Sequence, residues 1–539
     1  MVQIMDTRPE TNERPAIYAD RIGRIYAIEK SDDHKKEFGQ YLTPEPVAEF
    51  MGRLFDTPAN QEILRILDPG TGSGVLSCAT IESIASNRQN IRRIELVAYE
   101  HDKGLHPLLM LSMTHAQQWL QDKGIELIFE IRDTDFVLDN AHHLYKQQSF
   151  DQQPEQFDYI ISNPPYFKLN KADPRAQVAS LVVHGQPNIY AIFMAISAYM
   201  LKPDGELVYI IPRSFTAGPY FRLFREKFFE VMQPERIHLF GSRKETFNRD
   251  EILQEHLILK ARKQPHRESQ KVIISTSAGI KGMTTAVQKS VPLCEVIDMK
   301  TGNKYFYIPT CDADEKVISL VNSWSGSLHK YGMEISTGPV VPFRAIEFIT
   351  DEQATPLLWM QNVKAMEVSH PVPTRKQQYI LSNDQSAYLL LPNKNYVLLR
   401  RFSAKEEDRR LVAAPYMAAS FQPHDLVGFE NHVNYIYRPK GELTEAETFG
   451  ISAILNCRIL DNYFRTYNGN TQVSATELRS TPLPPLDVIR QIGEHVKKHR
   501  MSNGILNEYC NEILTGELHG EVARGTGNTK RTRATTGTI

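Results

Sequence analysis

Cysteine is scarce and scattered. The five thiols (Cys78, Cys294, Cys311, Cys457 and Cys510) include no Cys-x-x-Cys pair and no Cys/His cluster at zinc spacing. That argues against a disulfide frame and against a structural metal, and no metal is expected. Long apolar runs are missing too: no stretch of about 18 uncharged apolar residues occurs, and the N-terminal residues are too polar for a secretory signal, so neither membrane insertion nor export is expected. Nor does one sign of charge dominate. Over 539 residues, 62 Lys and Arg stand against 64 Asp and Glu, a formal net charge of −2, which excludes a uniformly basic nucleic-acid binder. Residues 1–270 carry 32 basic and 37 acidic side chains, and the remainder 30 and 27. A balanced second half permits contact with a polyanion without requiring it.

What is present is apolar mass for large cores, 41% of the chain, enough for roughly two to four domains. Between residues 63 and 211 short β-rich runs alternate with helical stretches, the pattern of a parallel sheet covered by helices. Strands are expected at 64–67, 94–99, 127–131, 159–161 and 207–211. Helices are expected at 74–86, 104–123 and 188–201, the last stopped by Lys202-Pro203-Asp204-Gly205. The fold class is therefore α/β, a Rossmann-like doubly wound sheet, and ligands of such sheets lie beyond the carboxyl ends of the strands. Two further runs, 236–240 and 256–261, close the sheet, and the polar stretch 262–270 reads as a linker to a separate α+β domain. The expected division is a catalytic domain at 1–265, a second domain at 271–485, a helical segment at 486–518 and a disordered tail at 519–539.

The residues after each expected strand carry the chemistry. The first strand enters Asp68-Pro69-Gly70-Thr71-Gly72-Ser73-Gly74 and then a helix. Gly70, Gly72 and Gly74 allow a tight turn and a close ligand approach, although a tight turn with no ligand has the same spelling. The second strand ends at Glu100, whose carboxylate can accept both hydroxyls of a ribose; the adjacent Asp102 is an alternative, and a solvated strand-end acid is the plain reading. After the third strand come Asp135 and Phe136, an acid and an aromatic suited to an adenine ring, or a simple helix cap. The fourth strand runs into Asn163-Pro164-Pro165-Tyr166. Two prolines fix the backbone and remove two donors, so an amide oxygen and a main-chain carbonyl converge as acceptors for the two N–H groups of an exocyclic amine, with Tyr166 stacking on the ring that bears it.

These motifs resemble the gamma-type N6-adenine DNA methyltransferases of type II restriction–modification systems, which use S-adenosylmethionine. The resemblance implies that Tyr41, Thr43 and Pro44 contact the methionine end of the cofactor. Asp68, Gly70, Gly72 and Gly74 would form the first cofactor motif, with Glu100 on the ribose and Asp135 and Phe136 on the adenine. Asn163, Pro164, Pro165 and Tyr166 match the catalytic tetrapeptide, Asn163 bordering the cofactor as well. Pro212-Arg213-Ser214-Phe215 matches a later segment of the catalytic domain, and Phe247 falls where the family places a second aromatic on the flipped base. In the second half, Ser336 to Val341 with Phe343-Arg344, Asn395 to Arg401, Asn468 to Val473 and Leu478 to Pro482 resemble target-recognition domains. Arg344, Arg400, Arg401, Arg409 and Arg410 have the chemistry for phosphate or guanine contacts, and equally for a solvated surface.

The implied partners are double-stranded DNA and a separate cognate restriction endonuclease, in the cytoplasm of a bacterium or archaeon. N4-cytosine transfer shares the acceptor geometry. RNA or protein-glutamine methylation, and a non-catalytic DNA-binding subunit, are the other readings of the same corner.

Overall fold

In this computed structural model the described residues are 8–29, 31, 42–56, 61–87, 90–145, 155–185, 187–240, 255–265, 269–298, 303–404, 406–499, 501 and 503–516. The expected tail at 519–539 lies outside them, as do Tyr41 and Phe247. Among the described residues no helix is long and apolar enough to cross a membrane.

Near-continuous burial marks the central strands, as a sheet covered on both faces requires. β1 (Ile63–Asp68), β2 (Arg93–Tyr99), β3 (Glu126–Arg132), β4 (Phe157–Ser162) and β5 (Leu201–Pro212) are parallel, and β6 (Met232–Phe240), β7 (His256–Lys263), β8 (Lys271–Ser277) and β9 (Val287–Pro292) extend them into a nine-stranded sheet. The order is β3-β2-β1-β4-β5-β7-β6-β8-β9, so the winding reverses between β1 and β4. That reversal opens a crevice at the ends of those two strands.

The covering helices are α1 (Pro15–Glu29), α2 (Glu45–Gly52), α3 (Val75–Ser86), α4 (His106–Gln121), α5 (Phe136–Asn140), α6 (Pro174–Val178) and α7 (Ile189–Met200). Helix α7 is buried almost all round, and the Asn188 side chain caps it by accepting from the Tyr190 N–H. One apolar cluster, including Leu67, Ile160, Ile192 and Leu207, fills one face of the sheet, and a second, including Ile66, Cys78, Leu109 and Ile161, fills the other.

The expected strands and helices of the first half are present. Lys202 to Gly205, however, interrupts β5 as an irregularity instead of preceding it: the register slips between Phe157 and Tyr159 of β4, and Asp204 takes a positive φ of 62°. The stretch read as a linker does not separate two domains: Arg262 and Lys263 end β7, residues 266–268 lie outside the described residues, and beyond them β8 pairs with β6 and β9 with β8. A polar stretch between two strands of one sheet has the composition of a linker between domains, so the sequence did not separate the two. The first compact unit accordingly runs to Asp312 rather than ending at 265, and Thr466–Asn470 belongs to it as well.

The second unit comprises the described residues of Ala313–Arg465 and those from Thr471 to 516. It holds a four-stranded sheet with Val433–Tyr437 and Tyr396–Arg400 at its centre and a five-stranded sheet built around Thr355–Leu358. One apolar cluster draws on both sheets, with Leu358, Val427 and Phe429 against Tyr396, Leu398 and Val433, and a second, including Leu357, Trp359 and Ile380, belongs to the five-stranded sheet. Two helices, Glu445–Asn456 and Leu486–Lys498, pack at glycine contacts: a Cβ on Gly493 would stand 1.8 Å from the Ala446 carbonyl oxygen.

Candidate active site

The turn after β1 is built by its glycines. Gly72 and Gly74 adopt φ of 61° and 91°, conformations that L side chains rarely take, and a Cβ on Gly74 would meet the Met113 side chain at 2.8 Å. Thr71 anchors the turn: its hydroxyl donates to the Asp68 carbonyl at 2.9 Å and its N–H to the Tyr99 carbonyl at 2.9 Å. Asp68 is fully buried beneath the turn and accepts a hydrogen bond of 2.7 Å from the Ser77 hydroxyl. It does not border the cavity described below, so it positions the turn. Burial pushes its carboxyl up to about 7 from the usual 3.8, outweighing Ser77.

The raised Asp68 carboxyl makes folding stability depend on pH. Between pH of about 4 and about 7 the folded chain retains a proton that the unfolded chain has released, so this group costs stability as pH rises through that window. Asp68→Asn is expected to flatten that part of the profile, seen as a difference between the two proteins in urea midpoint at pH 5 and pH 8. Parallel profiles would reject the assignment.

A cavity of about 290 Å³ opens at the ends of β1, β2 and β4, bordered by Gly70, Gly72, Glu100, Asp135, Phe136 and Asn163 among others. The Glu100 carboxylate is buried and oriented by two main-chain donors: Gly72 N–H to Oε2 at 2.8 Å and Asp102 N–H to Oε1 at 2.7 Å. Each oxygen keeps lone-pair capacity for a further donor, as a ribose diol would supply. Burial raises its pKa against those two hydrogen bonds. Asp102 is not a substitute for it. Its carboxylate accepts from the Tyr26 hydroxyl of α1 at 2.6 Å and from the Gly104 N–H at 2.9 Å.

Asp135 is both cavity wall and helix cap. Its Oδ1 accepts from the N–H groups of Val137 and Leu138 at 2.9 and 3.0 Å, while Oδ2 lies 3.7 Å from Arg175. Phe136 is held edge-on to Tyr99, with centroids 5.2 Å apart, and tilted on Phe193 at 4.9 Å. Across the cavity, Gly70 faces the proline corner: a Cβ there would lie 3.6 Å from the Asn163 carbonyl oxygen.

The Asn163 side chain is held at both ends. Its Nδ2 donates to the Thr43 hydroxyl at 3.0 Å, and its Oδ1 accepts from the Tyr166 hydroxyl. That hydroxyl has a second acceptor in reach, the Ile210 carbonyl of β5 at 2.8 Å. One proton serves two acceptors, so donation to Ile210 releases capacity on the Asn163 oxygen. The Tyr166 ring packs tilted on His256, centroids 5.1 Å apart, and edge-on to Tyr190 at 6.3 Å.

Of the residues singled out from the sequence, Gly70, Gly72, Glu100, Asp135, Phe136, Asn163 and Pro165 border one cavity. Asp68, Gly74, Thr43, Pro44, Pro164 and Tyr166 do not border it: Asp68 and Gly74 shape the turn, while Thr43 and Tyr166 orient Asn163. The sequence reading missed Leu42, Phe167, Arg175, Ile189 and Phe193 in the wall. Phe167 and Arg175 gave a weak signal, an aromatic and an arginine in the irregular stretch after the proline corner; Ile189 and Phe193 read as core positions of α7, and Leu42 as one apolar residue beside Thr43.

Asn468 to Asn470, grouped with the second half from sequence, belongs to the first unit. The Thr466 carbonyl accepts from Arg213 Nη2 at 2.6 Å and from the Ile308 N–H at 2.9 Å, the Thr216 hydroxyl donates to the Tyr467 carbonyl at 2.5 Å, and a Cβ on Gly469 would strike Arg213 at 2.8 Å.

Residues 86–247 match the Eco57I restriction-modification methylase family. Over 467 residues the chain is 32% identical to the type II methyltransferase M.BsuBI of Bacillus subtilis, an alignment covering 86% of this chain and 91% of that protein. With the type II methyltransferase M.PstI of Providencia stuartii it shares 29% identity over 89% of this chain and 93% of the relative. A tRNA (adenine-N6)-methyltransferase of Bacteroides thetaiotaomicron is 25% identical over 38% of this chain and 79% of its own length.

Proposed function

This chain belongs to the type II DNA methyltransferases of restriction–modification systems and uses S-adenosylmethionine, and from that premise we propose that it methylates N6 of an adenine within a specific duplex sequence. The observation that carries the reading is the meeting, in one cavity, of Glu100, Asp135 and Phe136 with the Asn163-Pro164-Pro165 corner.

The donor set fits the cofactor. Glu100 offers two fixed acceptors for the ribose, Asp135 and Phe136 an acceptor and a ring for the adenine, and the side-chain-free edge at Gly70 and Gly72 room for the methionine end. When bound, S-adenosylmethionine supplies an electrophilic methyl group. The chain's own residues do the rest. A base inside the duplex is out of reach, so it must leave the stack, at a cost of a few kcal/mol that contacts from Tyr166 and Phe247 offset. The Asn163 amide oxygen and a neighbouring main-chain carbonyl accept the two amine hydrogens and aim the nitrogen lone pair. Tyr166 moves its proton toward the Ile210 carbonyl as they do so. The attacking nitrogen becomes more acidic as it gains the methyl group and yields its proton to solvent, so orientation and preplaced acceptors provide the acceleration.

The second unit, which includes the helices Leu486–Lys498 and Asn503–Thr515, is the proposed target-recognition part. Similarity to the two type II enzymes extends over 86% and 89% of this chain, against 38% for the tRNA enzyme, which favours DNA over RNA. The proposal includes a separate endonuclease cutting the same sequence, and action in the cytoplasm of a bacterium or archaeon.

Transfer of a labelled methyl group to duplex DNA, followed by digestion to nucleosides and mass spectrometry, tests it. N6-methyladenine is expected. N4-methylcytosine as the product, or label only in RNA or protein, would overturn the base or the substrate class. Glu100→Gln replaces an acceptor with a donor at the ribose and is expected to weaken S-adenosylmethionine binding roughly tenfold while DNA affinity holds. Titration calorimetry reads both, and unchanged cofactor affinity would remove Glu100 from the site.

A further inference from the structure

The end of the cavity assigned to adenine carries a cation that the reaction as described leaves unused. Arg175 of α6 borders the cavity beside Asp135, Phe136 and Phe167. Its guanidinium is fixed by a forked pair with Asp173, Nε to Oδ1 at 2.9 Å and Nη2 to Oδ2 at 2.7 Å. The third nitrogen, Nη1, stands 3.7 Å from Asp135 Oδ2, and the guanidinium carbon lies 5.5 Å from the Phe167 ring centroid. Since Asp135 Oδ1 already caps α5, the oxygen beside Arg175 is the one left to meet a ligand.

A donor and an acceptor thus stand side by side in the cavity wall. Adenine offers the complementary pair on either side of its exocyclic amine, where the amine donates and a ring nitrogen accepts. N7 lies farther from the amine than N1 does, and the 3.7 Å between the two protein atoms suits that wider edge. A purine carrying a carbonyl at this position would set its oxygen against the Asp135 carboxylate. The fork to Asp173 holds Arg175 in place before any ligand arrives, so little side-chain entropy remains to be lost.

We propose that Arg175 is a specificity-determining residue for the cofactor: Nη1 donates to adenine N7 while Asp135 Oδ2 accepts from the adenine amine. The inference rests on the reading above that places the cofactor's adenine at Asp135 and Phe136.

Calorimetric titration of the full-length protein with S-adenosylhomocysteine and with its 7-deaza analogue, which lacks the ring acceptor, tests it. The wild-type protein is expected to bind the deaza ligand roughly tenfold more weakly. Arg175→Met should bind S-adenosylhomocysteine about tenfold more weakly than wild type and no longer distinguish the two ligands. A general loosening of the fold would weaken both ligands and keep the distinction. Equal wild-type affinity for both ligands, or discrimination that survives in Arg175→Met, overturns the proposal. Glu100→Gln serves as the control on the underlying reading: it should weaken both ligands alike. If it weakens neither, the placement of the cofactor fails; if it weakens both while Arg175→Met changes nothing, Arg175 alone fails.

Discussion

Asn163→Ala is expected to reduce kcat for methyl transfer by about 10²–10³-fold, the usual loss when one preplaced group at a reacting centre is removed, while the Kd for S-adenosylmethionine changes no more than a few-fold. The reason lies in how the side chain is held. Thr43 takes the Nδ2 donor, which fixes the amide so that its oxygen faces the Tyr166 hydroxyl and the place where the amine must be gripped. Alanine deletes that oxygen and leaves the Pro164-Pro165 backbone in position, so the cavity keeps its shape. Thr43→Val should show a smaller drop in kcat, because the oxygen remains and only its orientation is loosened. Single-turnover rates with saturating cofactor and DNA separate the two variants. If cofactor binding falls in parallel with rate, Asn163 is a cofactor residue rather than the group that grips the amine.

Arg213→Met is expected to cost about 3–5 kcal/mol of stability, as breaking a buried ion pair does when one partner stays behind. The Arg213 side chain is 6% exposed and that of Glu255 3%, with Nη1 3.2 Å from Oε1. Arg213 also donates to the Thr466 carbonyl, and Gly469 packs directly on its aliphatic stem. The substitution therefore unfastens a chain segment as well as an ion pair. Glu255→Leu alone should be costly too, whereas the double variant Arg213→Met/Glu255→Leu should recover much of the loss, since neither charge is then stranded. Urea unfolding of the four proteins forms a double-mutant cycle. Additive losses would show that the pair is not coupled, and a loss below about 1 kcal/mol for Arg213→Met would show that solvent reaches it.

Asn163 was legible because its chemistry is local: two prolines, an amide and an aromatic in four consecutive residues after an apolar strand state a backbone constraint and a set of acceptors together. Gly70, Gly72, Glu100 and Asp135 were legible for the same reason, each standing just past a strand whose composition identifies it. Asp102 stood as an alternative to Glu100, because two acids two residues apart can both end a strand. Tyr26, in a helix more than seventy residues away, engages one of them and leaves the other at the cavity. The cap at Asp135 and the cavity face of the same carboxylate were posed as alternatives, and the structure assigns one oxygen to each.

Arg213 was noticed only as part of a motif, and nothing near it in sequence announces a partner some 250 residues later. Alternation of strand and helix, the glycine turn and the proline corner determined the sheet of the first half and the residues that line its crevice, because periodicity and backbone restriction act over a few neighbours. The engagement of Asp102 by Tyr26, the entry of Arg175 into the cavity wall and the return of Thr466–Asn470 to the first unit were decided by tertiary structure alone. Those outcomes depend on which distant groups meet once the sheet has closed, and long-range pairing of buried charge and shape leaves no periodic trace in the chain.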